Sequence, residues 1–277
     1  MSTHPDFVFF GTPSPAAETL AALVEHGRRP ALVVTNPDAP QGRGLTLTPS
    51  PVRALAESAG LPVYTPERLD EAAFEKIRAY GCRYALVVAY GKIFPETLIA
   101  AFPDGVLNMH YSLLPRWRGA TPLEAALREG DTETGVTIQK MVKELDAGDI
   151  LAQAKTPIDP SETVRDLRPR LVRLGSDLLL DVLPSFENGS ARFVAQDPQK
   201  TTRAGKLKKT DGELDLHADA VYNWNRYRAY ADTIGTFFFQ DGQRVKITSA
   251  TLRNGAFVVE RVIPEGKREM LYRPEHV

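Results

Sequence analysis

An amide and an imidazole stand two residues apart in Asn108-Met109-His110, at the end of an apolar run that begins at Val106. In a strand, residues i and i+2 project from the same face, so Asn108 and His110 are expected to look into one space. That pairing suits acyl transfer. An Asn amide donates to an oxyanion as it develops, and a His stabilises the same charge or moves a proton near neutral pH. Such a histidine needs a carboxylate to orient it. Asp146, in the turn Leu145-Asp146-Ala147-Gly148-Asp149, is the best-placed acid. Taken alone, an Asn-x-His pair serves packing as readily as chemistry, and an Asp in a glycine-containing turn serves the turn. Asp149 reads as the purely structural neighbour.

The elements that must position these residues form an α/β pattern. Phe7–Phe10, Ala31–Thr35, Tyr84–Val88 and Val106–His110 read as strands. Helices are expected from Pro15 to about Glu25 behind a Ser14 cap, and over Pro51–Ala59, Glu71–Tyr80 and Pro95–Ala101. Gly135–Met141 and Ile150–Thr156 read as strands around the Glu144–Gly148 turn, and Thr163–Ser185 as a long amphipathic helix carrying Leu167, Leu171, Leu174 and Leu178. This alternation predicts an open, mostly parallel, Rossmann-like sheet with helices on both faces. The first turn, Gly11-Thr12-Pro13, lacks the GxGxxG fingerprint, so nothing supports nicotinamide or flavin binding. The Pro- and Gly-rich segment Asn36–Ser50 reads as a long loop, and long loops are often functional.

Asn108-x-His110 is followed by Ser112-Leu113-Leu114-Pro115-Arg116-Trp117-Arg118-Gly119-Ala120, and this signature resembles the methionyl-tRNA formyltransferase family of 10-formyltetrahydrofolate-dependent enzymes. The resemblance extends to Phe9-Phe10-Gly11-Thr12-Pro13, Asn36-Pro37-Asp38 through Gly42-Arg43-Gly44 to Pro49-Ser50-Pro51-Val52, Gly135-Val136-Thr137-Ile138-Gln139 and Leu145–Leu151. It is strong over residues 6–210 and weaker beyond.

The resemblance implies that the amino group of methionine, esterified to initiator tRNA, attacks the formyl carbon of 10-formyltetrahydrofolate. Asn108 and His110 would stabilise the tetrahedral oxyanion while Asp146 holds His110 and helps shuttle protons, with no metal and no covalent enzyme intermediate. The folate would lie along Ala89, Tyr90, Gly91 and Ile93, bounded by Ser112, Leu113, Leu114, Pro115 and Leu145. For Ile93 the other reading is plain core, and for Ser112 it is a local backbone cap. Arg43 would contact the tRNA acceptor end. Leu45 stands where the family usually has a basic residue, which makes the loop less cationic. Arg116 and Arg118 around Trp117 either reach the 3′ end or pair with carboxylates over a packed Trp117. An amino sugar nucleotide is the alternative acceptor for the same chemistry. Pro49-Ser50-Pro51-Val52 and the Arg-Trp-Arg run favour tRNA.

The composition is that of a globular protein, with 43% hydrophobic and 25% charged residues and a net charge of −1. From Lys200 onward there are 14 basic and 10 acidic residues, a net +4 on an otherwise acidic chain. Lys206, Lys208 and Lys209, with Lys200 and Arg203, suit phosphate contact or a solvated linker alike. The expected organisation is a catalytic domain over 1–196, a basic linker over 197–209 and a shortened β-barrel-like domain over 210–277. The last would be built from the Ala220–Tyr230 helix and strands Thr236–Phe239, Val245–Ala250 and Phe257–Val262, joined at Asp241-Gly242 and Asn254-Gly255. Trp224 reads as core. One cysteine, Cys82, permits no internal disulfide and fits a reducing compartment. With five histidines, a zinc site has little support. No apolar run approaches a membrane span, so a cytoplasmic monomer is expected.

Overall fold

Five consecutive buried residues, Phe7–Gly11, form β1, an interior strand of a seven-stranded sheet, and the computed structural model describes residues 7–41 and 45–273 around it. The chain continues through α1 (Ser14–Glu25), β2 (Leu32–Val34), β3 (Ala39–Gln41), β4 (Thr46–Thr48), α2 (Pro51–Ser58), β5 (Val63–Tyr64), α3 (Glu71–Arg78), β6 (Tyr84–Val88), α4 (Glu96–Ala100) and β7 (Gly105–His110). Next come β8 (Arg118–Gly119), α5 (Pro122–Arg128), β9 (Glu133–Lys140), β10 (Ile150–Pro157) and α6 (Val164–Glu187). The last part holds β11 (Arg203–Ala204), α7 (Ala220–Tyr230), β12 (Thr236–Gln240), β13 (Gln243–Arg253), β14 (Ala256–Pro264) and β15 (Met270–Leu271).

The strand order is β10-β9-β7-β6-β1-β2-β5. β1 pairs in parallel with β2 and β6, β2 with β5, and β6 with β7, whereas β7 and β9 are antiparallel. The continuous apolar runs of β1 and β6 follow from burial on both faces of a parallel sheet. From β1 the chain winds outward to β2 and β5, then crosses to β6 and β7. The carboxyl ends of β1 and β6 therefore flank the point where connections diverge, the usual ligand crevice of an open α/β sheet. Gly11 lies there because a Cβ would sit 2.7 Å from Ala16 Cβ and 3.0 Å from Val88 O. The Thr12 hydroxyl donates to Tyr90 O at 3.3 Å, tying the two crevice loops together.

One face of the sheet packs Val8, Phe10, Val34, Val87 and Val106 against Phe74, Ile77 and Leu98 from the helices. Elsewhere Phe7 stacks on Tyr84 at 5.3 Å, and Tyr84 meets Phe186 of α6 edge-on at 5.2 Å. α6 carries Gly175 where it comes closest to the sheet. A Cβ there would lie 2.5 Å from Met109 Sδ and 3.0 Å from Val136 Cγ1. Burying Met109 on that side leaves Asn108 and His110 for the other.

Several local expectations change. α1 begins at Ser14 itself, with extended Pro13 in the capping position and no side-chain cap. The Asn36–Ser50 segment is not all loop. β3 and β4 pair antiparallel, Ala39 opposite Thr48 and Pro40 opposite Leu47. The strands are three residues each and Pro/Gly composition hides their alternation. Ser50 does cap α2, accepting from Arg53 N at 3.0 Å. Asp241-Gly242 and Asn254-Gly255 have all four φ values between 49° and 77°, as two-residue hairpin turns require.

The chain groups into two compact units, residues 1–118, 135–154 and 170–201 in one, residues 119–134, 155–169 and 202–277 in the other. The first contains most of the large sheet. In the second, α7 packs on α5 and on the four-stranded sheet β12-β13-β14-β15. Trp224 is buried among Tyr227, Phe238, Val245, Ile247 and Val262, and its Nε1 donates to Pro160 O at 2.9 Å. The segment read as a linker contains β11, which pairs with β8. Among the described residues no helix is long and apolar enough to cross a membrane, and no group of three or more His, Cys, Asp or Glu is placed to hold a metal ion. Cys82 is buried and its thiol faces Tyr80 O at 3.9 Å.

Candidate active site

β7 ends at the crevice, and its antiparallel register with β9 sets Asn108 opposite Gln139 and His110 opposite Thr137. Directly opposed residues of such a pair share a face. Four polar side chains thus gather on one side of the paired strands. His110, Thr137 and Gln139 are buried, while Asn108 is half-buried.

His110 Nε2 lies 2.9 Å from Trp117 O. A carbonyl only accepts, so Nε2 carries a proton and donates it. The other ring nitrogen, Nδ1, faces Asp146 Oδ1 at 3.6 Å, with the two side chains 7% and 9% exposed. Residues 36 positions apart in sequence are therefore brought to the edge of hydrogen-bond distance. Asp146 adopts a left-handed φ of 51°, tolerated by Asp, and this aims its carboxylate inward. Gln139 Nε2 donates to the same Oδ1 at 3.0 Å. Gly148 closes the turn, since a Cβ there would stand 1.6 Å from Lys140 O.

The segment after His110 is pinned from within. Ser112 Oγ donates to Arg116 O at 2.6 Å, and Thr137 Oγ1 donates to Ser112 O at 2.6 Å. Leu114 N donates to Thr137 Oγ1 at 3.1 Å, and Gln153 Nε2 donates to Leu114 O at 2.8 Å. Leu114-Pro115 is a cis peptide and Trp117 has φ 62°. Leu114 and Trp117 are buried and Leu113 and Pro115 half-buried. The hydrogen bonds through Ser112 and Thr137 hold the segment with the Trp117 carbonyl at His110.

Along the stretch expected to hold the folate, Tyr90 and Phe94 are core, packed edge-on to Phe10 and to each other. Burial pushes the Tyr90 phenol far above its ordinary value. Ile93 is 91% exposed and Leu145 61% exposed. Ala89 and Gly91, at φ 47° and 83°, are exposed. Lys143 Nζ pairs with Glu96 at 3.0 Å, bringing the Asp146 side of the crevice alongside the segment that follows Ile93. Asn36 Nδ2 donates to Tyr90 O at 3.3 Å, while its buried Oδ1 has no hydrogen-bond partner among the described residues.

Of the residues expected at RNA, Arg116 is exposed, with its guanidinium 4.4 Å from the Trp117 ring centroid, and Lys206, Lys208 and Lys209 are exposed. Arg118 is buried and its Nε and Nη2 donate to Gln196 Oε1 at 3.0 and 2.8 Å. Its guanidinium is thus directed into the protein, the pairing alternative. Arg43 lies outside the described residues. Gln139 was not singled out by role from the sequence. Its signal is the alternation of polar Thr137 and Gln139 with Val136 and Ile138.

Residues 6–183 match the formyl transferase family and residues 206–271 match the formyl transferase C-terminal domain. A methionyl-tRNA formyltransferase of Methylobacterium sp. (strain 4-46) is 42% identical over 255 residues, covering 90% of this chain and 82% of the relative. An N-formyltransferase from Helicobacter canadensis, solved with folinic acid and dTDP-3-aminofucose, superposes at a TM-score of 0.67 with 18% identity, covering 90% of this chain and 88% of that one. A methionyl-tRNA formyltransferase from Clostridium thermocellum superposes at 0.63 with 16% identity, covering 93% and 97%. With matches to both portions in order and a relative at this identity over nine-tenths of this chain, the chain belongs to the formyltransferase family.

Proposed function

We propose that this protein transfers the formyl group of 10-formyltetrahydrofolate to the α-amino group of methionine on initiator methionyl-tRNA, working as a cytoplasmic monomer. The convergence of His110 Nδ1 and Asp146 Oδ1 to 3.6 Å beside Asn108 carries the chemistry. The identity with methionyl-tRNA formyltransferases carries the acceptor.

The uncharged amine attacks the formyl carbon, its electron pair forms the new C–N bond, and the carbonyl electrons move onto oxygen. The Asn108 amide donates to that oxyanion, and His110 lends it positive charge. Collapse of the intermediate expels N10 of the folate. The attacking nitrogen gives up a proton and N10 takes one. His110 is suited to this traffic, because Trp117 O holds its Nε2 proton and leaves Nδ1 facing Asp146. The 3.6 Å gap is wider than a direct hydrogen bond and admits adjustment as the reaction proceeds. Ile93 and Leu145 supply apolar wall to the pterin, and the Asn36 carbonyl offers an acceptor to its amino edge. Arg116, Arg43 and the exposed lysines at 206, 208 and 209 attract the tRNA phosphates.

The test is formyl transfer from 10-formyltetrahydrofolate with initiator methionyl-tRNA and a panel of amino sugar nucleotides in competition. Transfer to the tRNA alone is expected. Transfer only to a sugar would retain the three polar residues and overturn the acceptor.

A further inference from the structure

Beyond Gln139 stands a second amide, Gln196, in the stretch between the two matched family portions, 6–183 and 206–271. Its segment is pinned to the start of β10 by reciprocal hydrogen bonds, Ile150 N to Val194 O at 2.8 Å and Val194 N to Ile150 O at 2.9 Å. From there Gln196 Nε2 donates to Asp146 O at 2.8 Å and Gly148 O at 2.7 Å, with Gln139 Oε1 3.4 Å away. Gln196 Oε1 accepts from Arg118 Nε and Nη2 at 3.0 and 2.8 Å. Backbone carbonyls only accept and a guanidinium only donates, so the amide has one possible orientation. Arg118 Nη1 also approaches Glu144 Oε1 at 3.4 Å.

The Glu144–Gly148 turn is therefore gripped at both ends. Its centre, Asp146, sits at φ 51°, in the left-handed region. The contacts also close a ring. Arg118 leads to Gln196, Gln196 to Asp146, Asp146 to His110, and His110 to the carbonyl of Trp117, the residue bonded to Arg118.

We propose that Gln196, backed by Arg118, is a positioning residue for formyl transfer. It holds the backbone of the Asp146 turn so that the carboxylate faces His110, and it touches neither substrate. The role rests on the catalytic reading of Asn108, His110 and Asp146.

Gln196→Glu is the sharpest test. It keeps an acceptor for Arg118 but turns an oxygen toward two carbonyls that need a donor. In this variant and in Gln196→Ala, kcat is expected to fall roughly 10- to 100-fold, the usual range for groups that orient a reacting side chain, with KM for both substrates unchanged. Gln196→Glu is nearly isosteric, so it keeps the question open to measurement if Gln196→Ala does not fold. The imidazole 15N–1H resonances of His110 are recorded in the same variants without substrate, with exposed His26 and His217 as internal references. They are expected to move while the references stay. A kcat near wild type, a loss carried by KM, or a fall in kcat with unmoved His110 resonances would each overturn the proposal. If the wild-type protein proves inert toward methionyl-tRNA, the acceptor assignment fails, and the resonances still decide whether Gln196 positions the ring's partner.

Discussion

Replacing Gly148 by alanine adds one methyl group at the tightest place in the Asp146 turn. The new Cβ would stand 1.6 Å from Lys140 O and 2.8 Å from Lys140 C. An ordinary carbon–oxygen approach is about 3.3 Å, so something must move by about 1.7 Å. Lys140 cannot give way cheaply, because it ends β9 and its amide donates to Asp149 O at 2.9 Å across the base of the turn. The turn itself must lift, and Asp146 lies two residues away on it. Displacing a catalytic group by about 1 Å costs on the order of 100-fold, or about 2.7 kcal/mol of transition-state stabilisation. Overpacking of this kind costs about 1–3 kcal/mol of stability. Gly148→Ala is thus expected to fold with a lowered thermal midpoint and to lose about 100-fold in kcat for formyl transfer. The assay is steady-state transfer from 10-formyltetrahydrofolate beside a circular-dichroism melt. A folded variant with kcat within a few-fold of wild type would refute the geometric role given to the turn.

Three further outcomes follow from other parts of the molecule. Asn108→Ala is expected to lower kcat by about 100- to 1000-fold, as loss of one oxyanion donor does, with little effect on the melt; unaltered turnover would remove Asn108 from the mechanism. Ile93→Ser, at a 91% exposed position, is expected to raise KM for the folate with no loss of stability, which separates a pocket wall from a core residue. The Asp166 carboxyl is held below its ordinary value, chiefly by the Thr163 hydroxyl and then by the Thr163 amide at the start of α6. A lowered folded value adds stability above the unfolded value of about 3.9 and loses it as pH falls through the folded one. Asp166→Asn should therefore cost at most about 1 kcal/mol near pH 7, given its exposure, and the gap in melting temperature should close below about pH 4. A gap that persists into acid would show that charge is not its source.

The strands that carry the chemistry were legible because they are the most buried. β1 and β6 are short apolar runs, and β7 is one up to the Asn108 and His110 at its end, each bounded by Gly, Pro or polar turns. β5, β8 and β11 are two residues long and have no pattern of their own. Their pairing is imposed by the rest of the fold. α5, seven residues behind Thr121-Pro122, left no separate signal in the sequence. Within the site, Asn108 and His110 follow from strand periodicity, and Asp146 from the need for a carboxylate near a turn. Arg118 shows where such reasoning stops. A cation beside a tryptophan reads equally as a ligand for phosphate or as an internal partner, and only the return of residue 196 beneath it decides. Gln196 gives no local sign at all, since its partners lie about 50 and 78 positions back.

The assembly of the second unit from three stretches of chain, 119–134, 155–169 and 202–277, bears on how such proteins recombine. α5 presents Leu123, Ala126 and Leu127 to the interior of a body whose remaining helix and sheet are encoded after residue 200. Transplanting the C-terminal sequence of one relative onto another would therefore graft only part of a cooperative unit. The recipient would supply the α5 surface, and any mismatch in side-chain volume would fall on a shared interior. Viable chimaeras would need to exchange the two internal stretches together with the tail, so the C-terminal body evolves as a distributed part of the gene rather than as an appendage.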